Sequence, residues 1–123
     1  MQKEKFDELA ERAFESLPNG FKQRLDNVQI IVENYPLTDQ LRNAHVRDKH
    51  MLLGLYEGVP ISIRGTWYGS SATVPDRISL FQKNIEAVCR DDAEIEQKIS
   101  EVLIHEIAHH FGMSEKEIRQ AGY

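Results

Sequence analysis

The chain has 123 residues, 41% of them hydrophobic and 28% charged, as expected of one globular domain spanning residues 1–123. A net charge of −5 argues against broad, non-specific nucleic-acid binding, which needs a cationic surface. No apolar run approaches the roughly 18 residues of a membrane span, and the N-terminus lacks the pattern of a signal peptide. Because the single Cys89 cannot form an internal disulfide, the expected location is the cytoplasm.

The first half of the chain predicts a helix and then a strand. Apolar residues at three- and four-residue steps predict an amphipathic helix that ends at the PNG sequence of residues 18–20: Phe6, Leu9, Ala10, Ala13, Phe14 and Leu17. The segment VQIIVENYP at 28–36 is short and rich in β-branched residues, which predicts a largely buried strand. The polar stretch 37–50 fits a loop or a short helix equally well.

Two further strands are predicted in the middle of the chain. Residues 51–60, MLLGLYEGVP, indicate a strand that runs into a turn. The segment 61–77 is rich in Gly, Ser and Thr and indicates an exposed loop. RISLFQ at 77–82 alternates apolar and polar residues, which predicts a strand with one face in solvent.

The longest predicted helix carries most of the chemistry. It begins at Asp91, with Glu94 three residues on as in a capping box, and ends at Gly112. Within it, HEIAHHFG at 105–112 contains three of the five histidines of the chain. The alternatives are a metal site and a helix whose histidines recur by chance.

Helix geometry separates the three histidines. His105 and His109 are four residues apart and differ by about 40° in direction, so both imidazoles can bind one metal ion, expected to be zinc. Glu106 lies about 100° from His105, where it can reach a water on the metal as a general base without binding the metal. His110 points about 120° away from the metal, so we expect a packing or supporting role.

A third metal ligand is required, because catalytic zinc usually has three from the protein. On a straight helix Glu115 would lie about 12 Å along the axis from the histidine pair. Gly112 can adopt the left-handed conformation that ends a helix, which would let Glu115 turn back toward the metal. The sequence SEKE at 114–117 also fits the start of a last helix, and both roles can coexist.

Other residues with ligand or hydroxyl chemistry are interpreted first as structural. His45 and His50 are expected on the surface, with either one as the alternative third ligand. Cys89 is expected to be a small buried hydrophobe, with an inhibitory thiolate on the zinc as the alternative. Aromatic packing is expected for three residues, although a tyrosine hydroxyl near the zinc would stabilise an oxyanion: Trp67, Tyr68 and Tyr123.

The predicted chemistry is hydrolysis of an amide bond in a peptide or protein substrate. Zinc lowers the pKa of bound water to near 7 and polarises a carbonyl, so Glu106 can move a proton from that water to the leaving amine. An extended substrate commonly pairs with an edge strand beside the active helix. RISLFQ is the strand nearest to that helix in sequence, which makes Ile78, Ser79 and Leu80 the predicted substrate-binding residues.

Three segments, HEIAHHFGMSEKEI, LLGLYEGVP and ISLFQKNIEAVC, resemble a small bacterial family of zincin-like metallopeptidases, described as minimal matrix-metalloprotease-like. The resemblance covers roughly residues 20–121, and its most specific part is HExxHxxG followed three positions on by an acidic residue: His105, Glu106, His109, Gly112 and Glu115. The family more often has aspartate at the last of these positions. The resemblance implies an α+β, zincin-like fold, with a small mixed β-sheet packed against an N-terminal helix and the HExxH helix.

The leading hypothesis is therefore a cytoplasmic zinc-dependent peptidase. A metal-dependent RNA-processing hydrolase is one alternative, because small bacterial ribonucleases have a related HxxxHxxGxxx layout, but Glu106 and the acidic net charge argue against it. A non-catalytic regulatory module stabilised by zinc is another. Because so short a chain can build few cleft walls, we also expect a narrow activity or one that needs an activating or regulatory protein partner.

Overall fold

The structure is a computed structural model that describes residues 1–58 and 74–123. Helices and one sheet make up this part of the chain. The strands are β1 (Val28–Glu33), β2 (Gly54–Glu57) and β3 (Asp76–Phe81). The helices are α1 (Lys3–Glu15), α2 (Asn19–Lys22), α3 (Thr38–Ala44), α4 (Gln82–Ala87), α5 (Asp92–His110) and α6 (Glu115–Gln120). Most of the predicted loop at 61–77, with Trp67 and Tyr68, lies outside the described residues.

The three strands form a mixed sheet in the order β1-β3-β2. β1 runs parallel to β3, with Val32 opposite Leu80, and β2 runs antiparallel to it, with Gly54 opposite the same Leu80. Helices α1 and α5 pack on each other and against this sheet. The predicted α+β fold with a small mixed sheet is thus confirmed.

β3 is the central strand, so the prediction that it is an exposed edge strand is wrong. Ile78, Ser79 and Leu80 are all fully buried, with 0% of each residue exposed, and are not accessible to a substrate. The alternation of polar and apolar residues in this strand had indicated that Ser79 faces solvent. Ser79 lies under α3, where its hydroxyl accepts a hydrogen bond from Gln40 Nε2 at 3.2 Å and donates one to Glu33 Oε1 at 3.4 Å.

The structure also corrects the sequence prediction for strand β1 and decides between the alternatives for the polar stretch 37–50. β1 is predicted to be largely buried, but among its residues only Val32 is buried, with 9% of it exposed. Within the described ranges β1 pairs with β3 alone, so it lies at an edge of the sheet. The polar stretch 37–50 forms the short helix α3 and then a 3-10 turn, Lys49–Met51. The helix alternative was therefore correct for the first half of that stretch.

The core lies between α1, α5 and the sheet. The apolar stripe predicted for α1 packs there, with Phe6 and Ala10 among its most buried members. α5 contributes Leu103, Ile107 and Ala108, each 0% exposed. Across the described ranges, 1–58 and 74–123, no helix has the length and apolar character that crossing a membrane requires.

The start of α5 matches its sequence signal. The Asp91 side chain accepts a hydrogen bond from the Glu94 N–H at 2.9 Å. The Glu94 carboxylate in turn accepts the N–H of Arg90, one residue before the cap, at 2.9 Å. The first bond satisfies a backbone N–H of the first turn and the second satisfies that of the residue before the cap, so the helix begins where predicted.

Replacing Leu103 by alanine tests the packing of α5 on the core. Leu103 is completely buried, so Leu103→Ala should lower the free energy of unfolding by about 2–5 kcal/mol through lost apolar burial and a new cavity. Urea unfolding followed by circular dichroism measures the change. The matched control is Leu37→Ala, because Leu37 is 60% exposed and its truncation should cost less than about 0.5 kcal/mol. Equal losses in the two variants would contradict this assignment of the core.

Candidate metal centre

Three side chains converge at the C-terminal end of α5. One ligand atom each from His105, His109 and Glu115 can be chosen so that all lie within 4.8 Å of one another. Glu115 Oε1 lies 2.6 Å from His109 Nε2 and 3.4 Å from His105 Nδ1. Two imidazole nitrogens and one carboxylate oxygen form a donor set that suits Zn²⁺, so these residues fit the predicted metal.

A left-handed turn at Gly112 brings Glu115 to the histidines. Gly112 has a φ of 86°, a conformation that glycine adopts without steric cost. Beyond it, the Met113 N–H donates to the carbonyl of Ala108 at 3.0 Å, as in a Schellman-type helix end. The predicted turn is therefore present, and the chain reverses within three residues.

Glu115 also has the structural role that the sequence indicated, as the first residue of α6. The Ser114 side chain accepts the N–H of Glu117 at 3.2 Å, and the Glu117 carboxylate accepts the N–H of Ser114 at 3.1 Å. This capping box fixes the start of α6, and with it the position of Glu115. The hydrogen bond with His109, followed by the charges of both imidazoles, holds the pKa of Glu115 below its ordinary value.

Backbone carbonyls orient both imidazole rings. His109 Nδ1 lies 3.0 Å from the carbonyl oxygen of Met113, and His105 Nε2 lies 3.3 Å from that of Tyr123. Each carbonyl can accept the ring N–H, which leaves His109 Nε2 and His105 Nδ1 as the nitrogens facing Glu115. Tyr123 therefore approaches the site through its main chain, while its ring packs on Phe21 at 5.6 Å between centroids.

Glu106 lies beside the three residues and outside their group. Its Oε1 accepts a hydrogen bond from the backbone N–H of Tyr56, in β2, at 3.1 Å. Burial raises the pKa of the Glu106 carboxyl, and this effect outweighs the opposing influence of the Tyr56 N–H and of the two imidazoles. A carboxyl group with a raised pKa is better matched to proton transfer near neutral pH.

A cavity of about 260 Å³ opens between α5 and the segment that leads into β2. One wall is apolar and comes mainly from residues 51–54. The other comes from α5 and includes the imidazole and carboxyl side chains of the site. Its lining residues are Met51, Leu52, Leu53, Gly54, Lys98, Glu101, Val102, His105, Glu106, His109 and Glu115.

Gly54 allows β2 to lie directly on α5. A Cβ atom on this residue would be 2.6 Å from Val102 Cγ1 and 3.1 Å from the carbonyl oxygen of Ser79. Only glycine therefore fits without a shift of the strand or the helix. The sequence analysis did not single out Gly54, although an isolated glycine inside a strand is a known signal of close backbone approach.

The remaining candidates lie outside the ligand group. Among the described residues, neither His45 nor His50 joins the cluster, which favours Glu115 as the third ligand. His50 Nδ1 is instead 3.0 Å from a carboxylate oxygen of Asp48. Cys89 is half-buried and does not join the cluster, and burial raises the pKa of its thiol.

His110 is not part of the candidate ligand group, in agreement with its angular position. Its ring stacks on Tyr56, with 3.8 Å between the centroids and 14° between the planes. The expectation of a packing role is thus met, and the packing partner belongs to the strand that also contacts Glu106.

Comparison with known proteins agrees with this fold. The family model for zincin-like metallopeptidases matches residues 25–123, and the chain belongs to that family. Membership implies a bound metal, typically zinc. A solved structure of a conserved hypothetical protein from Thermo thermophilus is similar to the chain, with a TM-score of 0.55 and 25% identity over 90% of this chain and 94% of that one. No curated protein matches the sequence.

Substituting Gly54 tests the contact between β2 and α5. Gly54→Ala should lower the free energy of unfolding by about 1–3 kcal/mol, because the added methyl group overlaps Val102. Adding Val102→Ala should recover part of this loss, so that the double variant is more stable than the sum of the single effects. Chemical denaturation of the four proteins gives the coupling energy.

Gly20→Ala is the matched control, because a Cβ atom there would meet nothing within 4 Å. This substitution should leave stability unchanged or raise it slightly. If Gly54→Ala is as harmless as Gly20→Ala, the close approach at Gly54 does not limit the structure.

Removing the third carboxylate tests the ligand group. Glu115→Gln keeps the shape of the side chain but removes its negative charge, and we expect zinc affinity to fall at least about 10- to 100-fold. Competition with a chromogenic zinc chelator measures this directly. Glu96→Gln is the control, because Glu96 is an exposed residue of α5 that pairs with Arg12. Unchanged affinity in Glu115→Gln would exclude Glu115 as a ligand.

Proposed function

We propose that the protein is a zinc-dependent peptidase that hydrolyses amide bonds. His105, His109 and Glu115 would hold the zinc, and Glu106 would act as the general base. The observation that carries the proposal is the placement of Glu106, whose carboxylate adjoins the three ligands without belonging to their group. Its Oε1 accepts a hydrogen bond from the Tyr56 N–H, which restrains the carboxylate of this proposed base.

The protein's own residues supply proton transfer and orientation. Zinc, when bound, lowers the pKa of a water molecule and polarises the substrate carbonyl. Because the Tyr56 N–H engages Oε1 of Glu106, we assign Oε2 of that carboxylate to accept the proton and to pass it to the leaving amine. The raised pKa of Glu106 favours the first transfer, since a carboxylate with a higher pKa is a stronger base toward the proton of the water.

β2 replaces β3 as the proposed docking strand for an extended peptide. The Leu53 carbonyl accepts the Phe81 N–H of β3 at 3.0 Å, whereas the Tyr56 N–H turns away from β3 toward Glu106. Backbone groups alternate along an antiparallel strand, so those of Gly54 point to the same side as Tyr56, where the cavity lies. The apolar wall beside Gly54 favours an apolar substrate side chain.

The two alternatives receive less support from the site. Among the described residues that line the cavity there are three carboxylates, Glu101, Glu106 and Glu115, and one lysine, Lys98. This charge balance disfavours a phosphodiester backbone. A purely structural zinc site is normally closed by four protein ligands, whereas the described residues bring together three.

Glu106→Gln is the decisive variant. It should keep its zinc, because the ligand group is intact, and lose hydrolysis by about 10²- to 10⁴-fold, because the amide cannot accept the proton. Zinc content by mass spectrometry and cleavage of a mixture of internally quenched peptides provide the two measurements. Glu96→Gln, on the same helix, is the control and should retain both zinc and activity.

Three outcomes would contradict the proposal. Full peptide cleavage by Glu106→Gln would remove Glu106 from the mechanism. A wild-type chain that retains no zinc after reconstitution would remove the metal. Degradation of RNA without cleavage of any peptide would favour the RNA-processing hydrolase instead.

A further inference from the structure

We propose that His110 and Asp76 are positioning residues for the general base, and that they act through Tyr56. The inference rests on the proposed role of Glu106. Neither residue belongs to the candidate ligand group, yet both contact the side chain of Tyr56, whose backbone N–H bonds to Glu106.

Tyr56 is fixed at three points. Its backbone N–H donates to Glu106 Oε1 at 3.1 Å. Its ring lies parallel to the His110 ring, with 3.8 Å between the centroids. Its hydroxyl donates to Asp76 Oδ2 at 2.6 Å, a short bond of the strong, charge-assisted kind.

The register of the sheet explains the bond between Tyr56 and Asp76. Tyr56 lies opposite Ile78 across the antiparallel pair, and Asp76 lies two residues before Ile78 on the same face. Side chains in this diagonal relation are about 7–8 Å apart at the backbone, a distance that tyrosine can span. Asp76 is only 7% exposed, so its carboxylate must have hydrogen-bonding partners, and the Tyr56 hydroxyl is one of them.

The period of α5 explains why His110 takes part. Glu106 and His110 are four residues apart, so their side chains leave the helix in nearly the same direction, one turn apart. The side chain of His110 therefore points away from the predicted metal position and leaves the helix on the same side as Glu106. Tyr56 contacts both turns, with its backbone on Glu106 and its ring on His110.

This arrangement restrains the Glu106 carboxylate at the edge of the ligand group. A displaced Tyr56 would move the N–H that holds Oε1, and a misplacement of about 1 Å can reduce a rate about 10²-fold. The stacking of Tyr56 on His110 and the hydrogen bond from its hydroxyl to Asp76 both oppose such a displacement of Tyr56. Their loss should therefore reduce turnover more than it reduces binding of substrate or zinc.

Hydrogen exchange of the Tyr56 amide tests the mechanical link independently of hydrolysis. In the zinc-loaded full chain, His110→Ala should raise the exchange rate of this amide about 2- to 10-fold relative to the Phe81 amide, by removing one aromatic pair. The Phe81 N–H donates to Leu53 within the sheet, so it reports global loss of stability. Glu106→Ala defines the rate after complete loss of the bond.

His110→Phe separates a stacking role from other histidine chemistry. This variant keeps a flat ring on Tyr56 and should restore the protection of the Tyr56 amide. Tyr56→Phe removes the bond to Asp76 but keeps the ring, and it should raise the exchange of the Tyr56 amide as His110→Ala does. The matched control is Tyr35→Phe, because Tyr35 is an exposed tyrosine that contacts another histidine, His50.

Kinetics provides the second measurement. His110→Ala and Tyr56→Phe should lower kcat by about 10- to 100-fold, with KM and zinc content near their wild-type values. His110→Phe and Tyr35→Phe should retain the wild-type kcat. A purely structural role would instead lower the fraction of folded protein and leave kcat per folded molecule unchanged.

Two results would overturn the proposal. One is wild-type protection of the Tyr56 amide in His110→Ala, and the other is a His110→Phe variant that behaves like His110→Ala. Absence of peptide cleavage by the wild-type chain would instead refute the proposed function. The exchange measurement would still decide whether His110 and Asp76 hold Tyr56 against Glu106.

Discussion

Helix α5 has to satisfy two environments at once, and most of the structure follows from that constraint. Its core face carries Leu103, Ile107 and Ala108 into the apolar interior, while His105 and His109 leave from the other side. Because the helical period separates the two faces, burial of the first holds the second in a fixed orientation at the surface. Two of the three candidate ligands, His105 and His109, therefore stand on a helix that is packed against the core.

The contact of β2 with α5 gives Glu106 its environment. Gly54 lets the strand approach Val102 closely, and this approach brings the Tyr56 N–H to the Glu106 carboxylate. Burial raises the pKa of Glu106, so packing on this side of α5 both positions the proposed general base and shifts its pKa. The site thus depends on β2, which carries none of the three candidate ligands, as well as on α5, which carries two of them.

The errors of prediction have a common physical origin. The sequence predicts β3 as the docking strand because it is the predicted strand nearest to α5. In the structure β3 lies between a parallel and an antiparallel neighbour, and sequence distance does not reveal which strand becomes central. Ser79 looked like a solvent-facing residue, although it is buried and bonded to Gln40 and Glu33. A polar residue in a strand shows that hydrogen-bond partners are needed, without showing whether water or protein supplies them.

The sequence by itself determined what depends on local chain geometry. The four-residue spacing of His105 and His109, the turn at Gly112 and the capping box that begins α6 all act within about one helical turn, and the structure contains each of them. Only the tertiary structure decided the partners of Glu106 and His110, because Tyr56 is about 50 residues away in the chain and reaches them through sheet register and packing. Long-range contacts of this kind leave no periodic pattern in the sequence.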